Sequence, residues 1–186
     1  MRYFLGFLIA IGLVALVIIL VVKGLSNNTT TTGPQPKPLS SYYDTQAVAE
    51  LQIAGPIVAD QNYKQIEIQV NQGYSQISII NGYQGTIVNT KTFENNPSAY
   101  SQFLSALEGV GFNKGDSTYP YKTPAGFCSF GYNYTYTFFN GNDTIFNYWT
   151  TSCGGQGSFK GDVVAVNELF EEQIPDYSTV VANTGL

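Results

Sequence analysis

Histidine is absent from this 186-residue sequence, arginine and tryptophan occur once each, and cysteine occurs twice. Without histidine, Ser-His-Asp and Cys-His nucleophilic catalysis, histidine-ligated zinc and imidazole-based pH switching are all excluded. No S-x-x-K dyad, no G-x-G-x-x-G behind a strand and no G-x-x-x-x-G-K-[ST] loop occurs. The glycine-rich stretch Gly154-Gly155-Gln156-Gly157 lacks the lysine and helix that a phosphate loop needs, and reads as a turn. Basic residues are scarce as well. From Asp44 onward, 13 carboxylates face only Lys64, Lys91, Lys114, Lys122 and Lys160, a formal −8. Such a domain repels phosphate backbones, and no basic stripe interleaved with aromatics offsets this, so nucleic acid is not an expected partner.

Charge is missing altogether from Tyr3 to Val22, a run of 20 apolar residues. At about 1.5 Å per helical residue the run matches a hydrocarbon core of about 30 Å, and it has no polar stripe that would mark a buried core helix. It is expected to be a single transmembrane helix, with residues 1–23 as the anchor and the lipid bilayer as its partner. A cleaved signal peptide is the rival reading; its apolar region would be shorter and end in an A-x-A-like site. Arg2 on one side and Lys23 and Lys37 on the other balance, so charge alone does not orient the helix. Only Met1 and Arg2 precede it, which gives the expectation of a cytoplasmic N-terminus and an extracytoplasmic C-terminal domain at the cell membrane.

Residues 24–43, GLSNNTTTTGPQPKPLSSYY, offer no apolar face and read as a Thr/Pro-rich spacer, extended over Pro34–Pro38. Residues 44–186 are then one domain of ordinary size. Sequons stand at Asn27, Asn28, Asn133 and Asn142.

Within that domain Ala47–Ile53 and Ile66–Val70 alternate apolar and polar residues as half-buried strands do, and Ile77–Ile79 follows a short turn to make a hairpin of residues 64–80. Thr86–Val88 is a further strand candidate. Asn96-Pro97 is a helix start, with Tyr100, Phe103, Leu104 and Leu107 at helical spacing before Gly109 and Gly111. A second helix begins at Asp162, buries Val163, Val166, Leu169 and Phe170, and stops before Pro175. The fold expected from this order is α+β: an antiparallel β-sheet with two helices packed on its one apolar face, preceded by the single N-terminal transmembrane helix.

The two cysteines flank a pair of β-rich runs, Phe127–Phe139 and Asn142–Cys153, around Asn140-Gly141, a strong signal for a two-residue hairpin loop. With Asn140 and Gly141 as the loop, residue i faces residue 281 − i, and Cys128 falls opposite Cys153 at a non-hydrogen-bonded site where Cα atoms approach to about 4.5 Å. A disulfide between Cys128 and Cys153 is therefore expected, and with it an oxidising compartment. The same register places Phe130, Tyr132, Tyr134, Tyr136 and Phe138 on one face with Ile145 and Trp149. That face reads as core, with Tyr132, Tyr134 and Trp149 as a candidate binding surface of the carbohydrate-stacking kind.

Glu168, Glu171, Glu172 and Asp176 gather at the end of the last helix, where paired carboxylates could run glycoside hydrolysis or hold calcium, but they read as a solvated helix face. No catalytic residue, metal or cofactor is implied. The functional expectation is a non-enzymatic surface or envelope protein whose β-rich domain binds an envelope or cell-surface protein or glycan, or serves as a structural spacer. The alternatives are a subunit of an envelope assembly and a carboxylate-dependent enzyme acting on cell-wall glycans. Thr150-Thr151-Ser152-Cys153, Phe159, Leu169-Phe170 and Ile174-Pro175-Asp176-Tyr177, behind a bare anchor and a Thr/Pro spacer, give the chain its likeness. It resembles uncharacterised single-pass, surface-exposed proteins of small-genome bacteria, chiefly over residues 97 to 177. That resemblance implies a location and no ligand or catalytic residue.

Overall fold

The structure is a computed structural model that describes residues 37–182 and residue 184. The anchor expected at Tyr3–Val22 and most of the spacer lie outside the described residues. Among the described residues, no helix is long and apolar enough to cross a membrane.

Six strands, β1 (Ala47–Ala54), β2 (Lys64–Val70), β3 (Tyr74–Asn81), β4 (Thr86–Glu94), β5 (Asn133–Asn140) and β6 (Asp143–Thr151), form one antiparallel sheet in the order β4-β3-β2-β1-β5-β6. Three helices accompany it: α1 (Pro97–Gly109), α2 (Val163–Glu171) and the short α3 (Tyr177–Val181). The class is α+β. Strict alternation in β1 buries Ala47, Ala49, Leu51 and Ile53, and β2 does the same with Ile66, Ile68 and Val70. Onto this face pack Tyr100, Phe103, Leu104 and Leu107 of α1 and Val166 and Phe170 of α2, all in one core cluster. Both helices therefore cover the same side of the sheet. Phe112 sits at the junction, edge-on to Tyr136, Phe138 and Phe146.

The helix boundaries follow from local chemistry. The Asn96 side chain accepts from the Ala99 N–H at 3.0 Å with Pro97 in the first turn, and the Asp162 side chain accepts from the Ala165 N–H at 3.1 Å. Gly111, with φ at 86°, turns the chain out of α1. The end of the expected spacer is folded: Leu39 is buried, its N–H donates to a Glu108 carboxylate oxygen at 3.1 Å, and Leu39–Tyr42 form a 3₁₀ turn beside α1. The domain accordingly begins ahead of Asp44.

The β5–β6 hairpin departs from the expected register. Asn140 pairs with Asp143, so Gly141 and Asn142 form the loop, and Gly141 takes its first position with φ at 61°. A glycine opening a two-residue loop is a favoured hairpin geometry. Phe139 pairs with Thr144 but Phe138 pairs with Phe146, leaving Ile145 as an extra residue in a bulge. Turn and bulge together displace β6 by three positions from the register expected. An odd displacement sends every β6 side chain beyond the bulge to the other face. Phe146 and Tyr148 thus join Phe138 and Tyr136 on the helix side, and Trp149 points away from it, opposite Thr135. Phe130, expected in the core, lies outside the strand and is 97% exposed.

The disulfide between Cys128 and Cys153 is present, with Cα atoms 5.7 Å apart, but it joins two loops and not two paired strand positions. β5 begins only at Asn133, and Cys128, with φ at 51°, starts a turn in which Gly131 N–H donates to the Cys128 carbonyl at 3.0 Å.

Candidate functional site

The sheet face away from the helices is polar over much of its breadth, because the residues that alternate with the core set are amides, hydroxyls and two carboxylates. One row across the strands runs Ser78, Glu67, Gln52, Thr135, Trp149; the next runs Gln76, Gln69, Glu50, Thr137, Asn147. Cross-strand hydrogen bonds knit these rows together, among them Asn147 Nδ2 to Thr137 Oγ1 at 2.9 Å and Gln69 Nε2 to Glu50 Oε2 at 2.8 Å.

Trp149 is the exception on this face, and it is fully buried because the long loop between α1 and β5 folds over it. The rings of Tyr119 and Phe127 lie 5.7 and 5.1 Å from its ring, and its indole N–H donates to the Tyr121 carbonyl at 2.9 Å. Three further ties hold the loop down. The disulfide joins it to the end of β6, the Ile57 N–H donates to the Ser129 carbonyl at 2.8 Å, and the Tyr132 N–H donates to Ser152 Oγ at 2.8 Å. Gly157 is required beside Trp149: its φ is 124°, and a Cβ there would run into the Trp149 carbonyl and Thr150 Cα.

Between this loop and the polar sheet face lies an open groove of about 440 Å³. Gln52, Gln65, Asn133, Thr135 and Asn147 form its floor, Thr123–Gly126 one wall, and Gly55, Ile57, Tyr63 and Tyr83 the other. Tyr63 and Tyr83 stack with ring centroids 4.0 Å apart. The Tyr83 hydroxyl accepts from the Val58 N–H at 3.2 Å and donates to the Val58 carbonyl at 2.9 Å, while its own backbone N–H donates to Asp60 Oδ1 at 2.8 Å. Tyr83 is thereby anchored, and Tyr63 stacks on it. Burial, and then the neighbouring Tyr83, push the Tyr63 phenol above its ordinary value, so it is a hydrogen-bonding hydroxyl at neutral pH. Asn133 Oδ1 is buried and accepts no hydrogen bond from the described residues. Among the described residues, the one charged residue lining the groove is Lys122, whose ammonium donates to the Ser117 carbonyl at 2.8 Å.

Chain comparisons with protein-family models, curated proteins and solved structures give no match.

Next to the groove, Glu50 and Glu67 share the amide of Gln69, whose Nε2 donates to Glu50 at 2.8 Å and to Glu67 at 3.1 Å. Burial raises both carboxyls above their usual range; the Gln69 hydrogen bond partly opposes this at Glu50, and the Glu50 charge adds to it at Glu67. Neither lines the groove. Glu171 is raised too, by burial and then by Glu168. Among the described residues, no group of three or more Asp, Glu, His or Cys side chains is placed to hold a metal ion.

The residues expected to share a binding surface are divided between the two sides of the sheet. Tyr132 and Tyr134 line a smaller cavity of about 240 Å³ on the helix side, with Asn167, Glu171, Tyr177 and Val181. Trp149 is on the other side, beneath the loop. Of the acidic cluster, only Glu171 enters that smaller cavity. The sequence reading missed the groove residues Gln52, Gln65, Tyr63 and Tyr83. Gln52 and Gln65 sit at the polar phase of β1 and β2 and could be read from alternation, but Tyr63 and Tyr83 lie in connections whose meeting only the β2–β3 pairing establishes.

Proposed function

We propose that this protein is a membrane-anchored, extracytoplasmic binding protein without enzymatic activity, held at the cell surface by the helix Tyr3–Val22 and the Thr/Pro spacer. The observation that carries the binding part is the groove: fixed tyrosines and side-chain amides converge on it, while no carboxylate lines it among the described residues. Ligand sites pair an apolar wall with a few placed polar groups, and volumes of about 300–1,000 Å³ are usual for them. The uncharged run of 20 residues supports the anchor, and the disulfide supports an oxidising compartment. Protease added to intact cells should remove the domain while sparing the anchor, and Cys128 and Cys153 should react with thiol reagents only after reduction. Protection from external protease, or free thiols in the native protein, would sink the location.

The β4 edge favours a second reading, a subunit of an envelope assembly. Among the described residues β4 pairs only with β3, and Thr86–Lys91 are exposed along their length, Ile87 and Val88 included. Unprotected edges are templates for strand addition. Light scattering on the purified full chain decides this reading: a lone monomer at all concentrations counts against self-assembly.

A further inference from the structure

We infer that the groove binds a neutral oligosaccharide, with the Tyr63–Tyr83 pair as its apolar wall and the amides of Gln52, Gln65 and Asn133 as its polar floor. This rests on the binding-protein reading above and names the ligand class for the same groove. Four observations narrow that class.

Charge comes first. Lys122 is the one cation lining the groove among the described residues and gives one of its three donors to the Ser117 carbonyl, while the acidic domain around it, formally −8, repels a phosphate, sulfate or carboxylate ligand. Glu50 and Glu67 of the same sheet face share Gln69 and lie outside the lining, as does Asp60, which accepts from the Tyr83 N–H, so a cationic ligand is not specifically served either. A neutral molecule is what remains.

Hydrogen-bonding capacity comes second. Each amide on the floor carries both a carbonyl acceptor and an NH₂ donor. A ligand that donates and accepts from the same atom meets this set best, and hydroxyl groups do so. The third observation is the wall. Sugar rings present C–H faces between their hydroxyls, and rings held as firmly as Tyr63 and Tyr83 stack on such faces with little entropy left to lose.

The fourth separates a sugar from an extended peptide. Peptides add to sheets mainly through main-chain hydrogen bonds at an edge. This groove lies mainly over β1, β2 and β5, interior strands with their backbones committed on both sides, and reaches the edge strand β6 at Asn147 alone. Over these interior strands recognition runs through side chains.

The test uses the full chain in lipid discs, prepared with a detergent that carries no sugar headgroup. Chitotetraose, cellotetraose and maltotetraose are the neutral probes, tetragalacturonate the acidic one, and an uncharged Gln/Thr-rich peptide the extended one. Calorimetry and saturation-transfer NMR read binding, and the chain length of the recovered sugar reads turnover. At least one neutral tetrasaccharide should bind, and Tyr83→Ala and Gln65→Ala should each weaken it about tenfold or more. Val164→Ser, an exposed substitution on α2, should leave it unchanged, and near-UV circular dichroism should show each variant folded. The inference is overturned if no neutral tetrasaccharide binds, if tetragalacturonate binds better, or if both groove variants bind like the parent. Binding of the peptide alone overturns the sugar while leaving a binding protein. Shortening of a bound tetrasaccharide leaves the ligand class standing and overturns the non-enzymatic reading.

Discussion

At the scale of single residues, Glu50 and Glu67 make the clearest solution prediction. Both carboxyls are raised above 4.5, so the folded protein holds protons that the unfolded chain releases. Stability from this pair is therefore fully present below the unfolded carboxyl value and declines as pH rises through the folded ones. Glu67→Gln keeps an oxygen for the Gln69 amide and removes the charge. Its melting temperature should exceed that of the parent at pH 7, with the gap closing towards pH 4; thermal melts across that range check both ends. A substitution that is neutral or harmful at pH 7 would show that the two carboxylates are better solvated than their surroundings indicate. Trp149 makes the complementary point, since nothing in its neighbouring residues shows which side of the sheet it occupies. Its burial depends on a loop that returns from 28 residues earlier to accept its indole proton.

At the scale of elements, legibility followed the range of the interactions. α1 and α2 could be read because their starts are set by groups three residues apart, Asn96 with Ala99 and Asp162 with Ala165. Asn96→Ala should cost about 1 kcal/mol of stability, the usual scale for a lost cap, measurable as a shift in urea midpoint with the slope unchanged. β1 and β2 were legible for a similar reason, since alternation is local. The β5–β6 register was not. Asn140-Gly141 identifies a turn, but the same dipeptide serves whether the loop is those two residues or Gly141-Asn142, and the Ile145 bulge has no marker of its own. The expected disulfide exists for a different reason from the one that suggested it. The groove inherits this limit: Gln52, Gln65, Asn133 and Thr135 of its floor are readable from strand phase, while Asn147 depends on the shifted β6 register and the walls come from connections placed by long-range pairing.

At the scale of the whole molecule, the disulfide closes a loop of sequence separation 25 and fastens the wall of the groove to the end of β6. Removing it with Cys128→Ser and Cys153→Ser together should cost about 3 kcal/mol. The loss should be uneven. Hydrogen exchange should quicken first in residues 119–131, which the described contacts attach to the sheet mainly through Trp149, Ser129 and Tyr132. Amides of β1 and β2 should exchange only with global unfolding. If protection fell equally everywhere, the loop would be an integral part of the core and not a clamped cover.

The position of β1 has a mechanical consequence. Leu39, just ahead of it, is buried and bonded to Glu108, and β1 itself is paired along its length with β2 on one side and β5 on the other. A pull directed along β1 would therefore act on an interior strand. It loads two ladders of hydrogen bonds together, as shear, whereas a strand at the rim would peel away one bond at a time. β1 also contributes Gln52 to the floor of the groove, so a force borne by this strand would be felt at the groove as well.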